Sequence, residues 1–168
     1  MKVSVVNLGC KVNRVESDTI AAAYLQNGST LCDTSQADLI IVNTCTVTEE
    51  ADKKTRKTIR RVLRDNTHAR VLVTGCAAVI EPDFYKSLDS RITVVDKHDL
   101  LEQSTHGIEN LKDHPLLRVG INFPTRVGVK VQDGCNHSCT YCIVHVARGK
   151  AWSRSPELIR NEILLQLQ

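Results

Sequence analysis

The sequence predicts an α/β chain: a doubly wound parallel-sheet domain, followed by the first strand and helix of a second domain. Three observations predict it. Apolar, β-branched runs recur at residues 3–8, 37–42 and 70–73, and near-continuous runs of this kind suit parallel strands covered on both faces. Segments of helical composition, 17–27 and 49–66, lie between them, and such alternation marks a sheet with crossover helices. Each run is followed by a cysteine, Cys10, Cys45 or Cys76. One structural position therefore repeats at intervals of roughly one βα unit.

The elements follow in order. The first strand, 3–8, ends in Gly9-Cys10. The helix 17–27 has a stop signal in Asn27-Gly28. Residues 30–34 suit a short extra strand. The strand 37–42 runs into Asn43-Thr44-Cys45, and the helix 49–66 follows. The strand 70–73 runs into Thr74-Gly75-Cys76, then come a segment at 82–88 and a strand at 91–95. This domain covers residues 1–113. Polar sequence broken by Gly107, Pro115 and Gly120 marks a connection, with the linker at 114–120. The second part, 121–168, opens with an alternating strand at 126–131, leading into Gly134-Cys135. Ser155 is placed as an N-cap with Pro156 at the first helical position. Leu158, Ile159, Ile163, Leu164 and Leu167 follow at helical spacing. One strand and one helix do not complete a domain, so this part reads as cut short. The apolar face of its helix is expected to be partly exposed or laid on the first domain.

Composition sets bounds. A chain of 168 residues is one domain and a fraction. With 42% hydrophobic and 24% charged residues it is globular, not wholly disordered. No run of about 18 apolar residues predicts a membrane span, and the start is too short for a signal peptide. A cytoplasmic protein is expected. The net charge of +3 permits nucleic-acid binding without requiring it, and 4% aromatic residues argue against an extended base-stacking platform. There are seven cysteines. In a reducing compartment, metal binding or redox chemistry is a better reading of them than a disulfide framework.

Six of the seven form two constellations. Parallel strands joined by right-handed crossovers place their carboxyl ends on one edge of a sheet, so Cys10, Cys45 and Cys76 should converge there. Three thiolates at a ligand-binding edge suit an iron–sulfur cluster with one iron left open. Zinc, which needs a fourth ligand, and buried apolar cysteines are the competing readings. Cys32 lies outside the pattern and reads as structural. The second constellation is C-x₃-C-x₂-C, formed by Cys135, Cys139 and Cys142. It again suits a cluster with one free iron, which in radical chemistry binds the amino and carboxylate groups of S-adenosylmethionine. Tyr141, just before the last cysteine, is placed for contact with the adenine. A zinc loop completed by His137 or His145 is the alternative.

Together these residues resemble the methylthiotransferase family of radical S-adenosylmethionine enzymes. The resemblance rests on Leu8-Gly9-Cys10-Lys11-Val12-Asn13 with Glu16-Ser17, Val42-Asn43-Thr44-Cys45-Thr46-Val47-Thr48, Val73-Thr74-Gly75-Cys76-Ala77, and residues 135–143 with Arg148-Gly149. It implies two [4Fe–4S] clusters, an auxiliary one on Cys10, Cys45 and Cys76 and a radical one on Cys135, Cys139 and Cys142. No catalytic residue beyond these ligands is assigned. It also implies S-adenosylmethionine as cofactor, tRNA at its anticodon stem-loop as partner, and an electron donor such as flavodoxin or ferredoxin. The second part would be the start of a (β/α) barrel. The motif at Cys10 looks like the subgroup that converts N6-threonylcarbamoyladenosine beside the anticodon to its 2-methylthio derivative. The alternatives are the isopentenyladenosine enzymes, which more often carry Gln and Met at Lys11 and Val12, the ribosomal-protein S12 enzymes, which usually carry Pro after the cysteine, and a non-catalytic iron–sulfur fragment. Departures from the family pattern fall at Asp96, at His145, where Pro is common, and at Val146, where an aromatic is common. Most of the barrel and the RNA-gripping carboxyl-terminal domain of such enzymes are missing, so the 168 residues alone are expected to be inactive.

Cations crowd residues 53–64. Buried Thr55, Ile59, Val62 and Leu63 would leave Lys53, Lys57, Arg60 and their neighbours on a solvated face. The sharper alternative is an RNA-phosphate face. Arg148 and Arg154 are further candidates for RNA contact.

Overall fold

The structure, a computed structural model, describes residues 1–46, 49–97, 99–100 and 127–167. Its main body is a five-stranded sheet in the order β2-β1-β3-β4-β5. The strands are β1 (Lys2–Asn7), β2 (Thr30–Leu31), β3 (Leu39–Thr44), β4 (Arg70–Gly75) and β5 (Ile92–Val94). All four pairings are parallel. The order is that of one of the two common doubly wound sheets, in which ligands sit outside the carboxyl ends of the strands.

Successive side chains of a strand point to opposite faces. In β3 this sends Ile40 and Val42 toward α2 (Glu49–Asp65), where they meet Ile59 and Val62. Leu39 and Ile41 face the other way, with Ile20 and Tyr24 of α1 (Lys11–Gln26). Both faces are covered, which is why β3 reads as an unbroken apolar run. Two short helices, α3 (Cys76–Ile80) and α4 (Pro82–Ser87), complete the first part.

Several boundaries differ from the sequence expectation. Helix α1 begins at Lys11, six residues before the expected start, with Cys10 as its N-cap residue. Its early turns bury the polar Asn13 and Ser17, and a buried polar face hides helical periodicity from a hydrophobic pattern. Strand β3 starts two residues later than expected and runs on through Thr44. The expected strand at 30–34 splits into the two residues of β2 and a 3₁₀ turn, Thr34–Gln36. Helix α3 was not expected at all. It starts immediately after β4 because Gly75 turns the chain at φ 93°, a left-handed conformation that glycine reaches without strain. A Cβ there would lie 2.4 Å from the Asn43 side chain and from the Thr44 carbonyl oxygen.

The expected strand at 126–131 is corrected. Residue 126 lies outside the described residues, and 127–131 are not strand. Instead β6 (Gln132–Asp133) pairs antiparallel with β7 (Trp152–Ser153). The pairing extends backward only to one bond, the Arg154 amide donating to the Val131 carbonyl at 3.0 Å, and residues 127–130 are not strand. Helices α5 (Val144–Arg148) and α6 (Pro156–Gln166) follow the cysteine loop and β7. Ser155 caps α6 as expected, its hydroxyl accepting from the Leu158 amide at 3.3 Å. Ile163, Leu164 and Leu167 are exposed and Leu158 and Ile159 half-buried, the partial exposure expected of this face. The domain boundary at 113 and the linker at 114–120 lie outside the described residues. Among the described residues no helix is long and apolar enough to cross a membrane.

Candidate functional site

The carboxyl edge of the sheet gathers the first cysteine trio. Register places Asn7 opposite Asn43 and Thr44 opposite Gly75. Cys45 and Cys76 therefore directly follow residues paired across neighbouring strands, and Cys10 follows β1 on the same edge. Cys45 and Cys76 are buried and Cys10 is exposed. Cys32 is elsewhere: its thiol points to the Val3 carbonyl at 3.8 Å, near the start of β1.

Beneath the trio lies a buried polar layer. The Asn13 amide donates to Asn43 Oδ1 at 3.0 Å and to the Thr44 carbonyl at 2.9 Å. Asn43 donates back to the Asn13 carbonyl and to Ser17 Oγ. The Thr44 hydroxyl donates to the Thr74 carbonyl at 2.7 Å and accepts from the Ala78 amide of α3. This layer ties the start of α1 to the ends of β3 and β4, fixing the segments that carry the cysteines. The Cys10 thiol donates to Asn13 Oδ1 at 3.2 Å.

The second trio sits on the loop between β6 and α5. Gly134 precedes it at φ 71°, and a Cβ there would lie 2.2 Å from the Lys150 carbonyl oxygen. The loop closes through the Cys135 amide on the Gly149 carbonyl at 3.0 Å and the Cys142 amide on the Cys139 carbonyl at 3.0 Å. The His137 N–H points at Cys135 Sγ, 3.4 Å away. Cys139 is exposed, and Cys135 and Cys142 are half-buried. Tyr141, expected against an adenine, is 91% exposed.

A buried charge network joins the two trios. Arg148 of α5 donates through Nη1 to Glu16 of α1 and to Asp133 of β6, both at 2.9 Å. Lys130 bonds the same two carboxylates at 2.8 and 2.6 Å, and Lys97, after β5, also pairs with both. Arg148 Nη2 reaches Asn13 Oδ1 at 3.1 Å, the atom that accepts from Cys10. Helix α5 packs on α3, which carries Cys76. Burial alone would raise the Glu16 and Asp133 carboxyls. Hydrogen bonds and charge from Arg148, Lys130 and Lys97 outweigh it and hold both below the ordinary carboxylate range. Burial pushes the Cys76 thiol up, Arg148 opposes it, and the neighbouring Cys45 adds to it. The sequence reading singled out Arg148 as a candidate RNA contact and quoted Glu16 only within a motif. It missed Lys97, Lys130 and Asp133: Lys130 and Asp133 are three residues apart, but Glu16, Lys97 and Arg148, which complete the network, come from distant segments that no local pattern joins to them.

Two of the expected RNA-contact candidates sit inside the fold. Arg148 is held inside this network, its side chain only 9% exposed. Arg154 is buried, donating to the Lys130 carbonyl and paired with Glu162. Neither guanidinium faces solvent. Lys53, Lys57 and Arg60 are on the exposed face of α2, with Ile59 and Leu63 buried beneath.

Among the described residues no three His, Cys, Asp or Glu side chains stand close enough to hold one metal ion. Each trio shares an edge or a loop without being drawn into ligand distance. The donor chemistry nevertheless fits iron–sulfur clusters. Each set offers three thiols, the Thr74 hydroxyl lies buried without a partner on the strand that leads to Cys76, and the His137 amide is already aimed at a sulfur. Hydrogen bonds to cluster and ligand sulfurs are among the features that tune such centres.

Residues 2–96 match the family described as "Uncharacterized protein family UPF0004". The chain is 34% identical to threonylcarbamoyladenosine tRNA methylthiotransferase MtaB of Bacillus subtilis, over 96% of this chain and 39% of the relative. It is 31% identical to the protein of the same name from Thermotoga maritima, over 95% of this chain and 40% of the relative. It is 30% identical to tRNA-2-methylthio-N(6)-dimethylallyladenosine synthase of Christiangramia forsetii, over 96% of this chain and 38% of the relative. The chain thus spans about two fifths of the length of these relatives. With more than half of its residues matched, the chain belongs to the family described as uncharacterized protein family UPF0004, and its similarity is to methylthiotransferases of the MtaB type.

Proposed function

We propose that the chain forms part of a radical S-adenosylmethionine methylthiotransferase of the cytoplasm that modifies tRNA, with N6-threonylcarbamoyladenosine beside the anticodon as its substrate. The observation that carries the reading is the meeting of two cysteine trios across one buried network, in a chain whose relatives bear methylthiotransferase names. In this reading Cys10, Cys45 and Cys76 hold an auxiliary [4Fe–4S] cluster, and Cys135, Cys139 and Cys142 hold the radical cluster. When bound, these groups and S-adenosylmethionine supply C–H activation and sulfur insertion.

The chain's own residues bind and orient. Asn13, Asn43 and Thr44 fix the strand ends beneath the auxiliary trio. Glu16, Asp133 and Arg148 set the second loop against α1. Arg148 lends positive charge to Cys76, which favours the thiolate a metal requires. Tyr141 supplies the adenine contact. The domain division at 1–113, 114–120 and 121–168 belongs to the same reading, as does an electron donor such as flavodoxin or ferredoxin.

A chimera tests the proposal: this chain replaces the matching portion of the Bacillus subtilis relative and is assayed anaerobically with reductant, S-adenosylmethionine, a sulfur source and threonylcarbamoyl-bearing tRNA. Methylthio product should form, and should vanish when Cys135, Cys139 and Cys142 are replaced by Ala. Product that persists without those cysteines, or a folded, iron-loaded chimera that makes none, contradicts the proposal.

A further inference from the structure

We infer that the outer face of α2 is a docking surface for the phosphate backbone of RNA. The inference rests on the proposed action on tRNA and adds the surface that grips it. Helix α2 turns Thr55, Thr58, Ile59, Val62 and Leu63 into the core. Its outer face carries a groove lined by Lys53, Arg56, Lys57, Arg60, Arg61 and Arg64, six cations with no carboxylate among them. Their spacing of three and four residues makes one stripe, roughly 16 Å long at the helical rise.

Charge balance separates this stripe from an ordinary solvated face. The carboxylates of α2 sit at its ends: Glu49, Glu50 and Asp52 in the first turn and Asp65 in the last residue. Asp52 is engaged by Arg56 and by the Tyr85 hydroxyl. Arg56 also pairs with Glu81 at 2.6 Å and lies over the Phe84 ring, so it is fixed as part of the wall. Lys57, Arg60 and Arg61 make no ion pair among the described residues. Like charges at these intervals destabilise a helix, and a polyanion removes that repulsion. With Arg148 and Arg154 committed to internal pairs, α2 carries the densest run of exposed cations among the described residues. An anionic bilayer fits less well, because the helix has no apolar face left to insert.

The test uses the purified 168-residue chain and an unmodified tRNA transcript, with affinity followed against salt. Replacing Lys53, Lys57 and Arg60 by Gln should weaken binding about tenfold or more and make the slope of log affinity against log salt shallower by about 2 to 3. Replacing Arg60, Arg61 and Arg64 should do the same, and Lys86→Gln on α4 should change the slope by less than one. Circular dichroism and iron content confirm that the variants fold. Binding with an unchanged slope overturns the surface and leaves the tRNA reading standing. A folded chain that binds no tRNA, or that binds phosphatidylserine vesicles more tightly than tRNA through these cations, overturns the surface, while the chimera above judges the enzymatic reading separately.

Discussion

Arg148 shows how a residue's surroundings decide its role. By sequence it is a cation just after a cysteine loop, available for phosphate. In the fold its guanidinium meets Glu16, Asp133 and Asn13 at once. A buried ion network adds little net stability over an apolar alternative, but removing one member strands the others, at a cost of about 3–5 kcal/mol. Arg148→Met is therefore expected to destabilise the protein by roughly that amount in urea unfolding, with Arg148→Lys recovering part of it. The same variants should leave the salt slope of tRNA binding unchanged, because the side chain does not face solvent. The cysteines were legible because three strand ends repeat one motif. Asn13 and Glu16 lay inside that motif, but their function depends on partners that no local pattern reveals.

At the scale of elements, legibility followed burial. Strands β1, β3 and β4 announced themselves because both their faces are covered. Helix α2 was equally plain, its apolar stripe and cationic face falling at a clean helical period. Helix α1 was read late because its opening turns bury amide and hydroxyl groups in place of carbon. Strand β6 was misplaced because alternation alone does not supply a ladder partner. Helix α6 was legible from its start signal, and its cap can be measured. Ser155→Ala removes the acceptor for the Leu158 amide and should cost about 1 kcal/mol, within the range for caps. Faster hydrogen exchange at that amide would show it. Unchanged exchange would mean that packing, not the cap, holds the first turn.

For the whole molecule, the two cysteine-bearing parts are joined by charge as well as by the packing of α5 on α3. Lys97, Lys130 and Arg148 converge on Glu16 and Asp133 from separate segments. Such an interface fixes geometry through hydrogen bonds of defined direction. It suits the two proposed clusters, one on each trio, held at a set separation. The most direct measurement is iron and sulfide content after anaerobic reconstitution of the intact chain and of two triple Ala variants, one at Cys10, Cys45 and Cys76 and one at Cys135, Cys139 and Cys142. Two four-iron clusters give about eight irons per intact chain, and about half that is expected in each variant. A folded variant that loses all its iron or none of it, or an intact chain that takes up zinc in preference to iron, would contradict the two-cluster account.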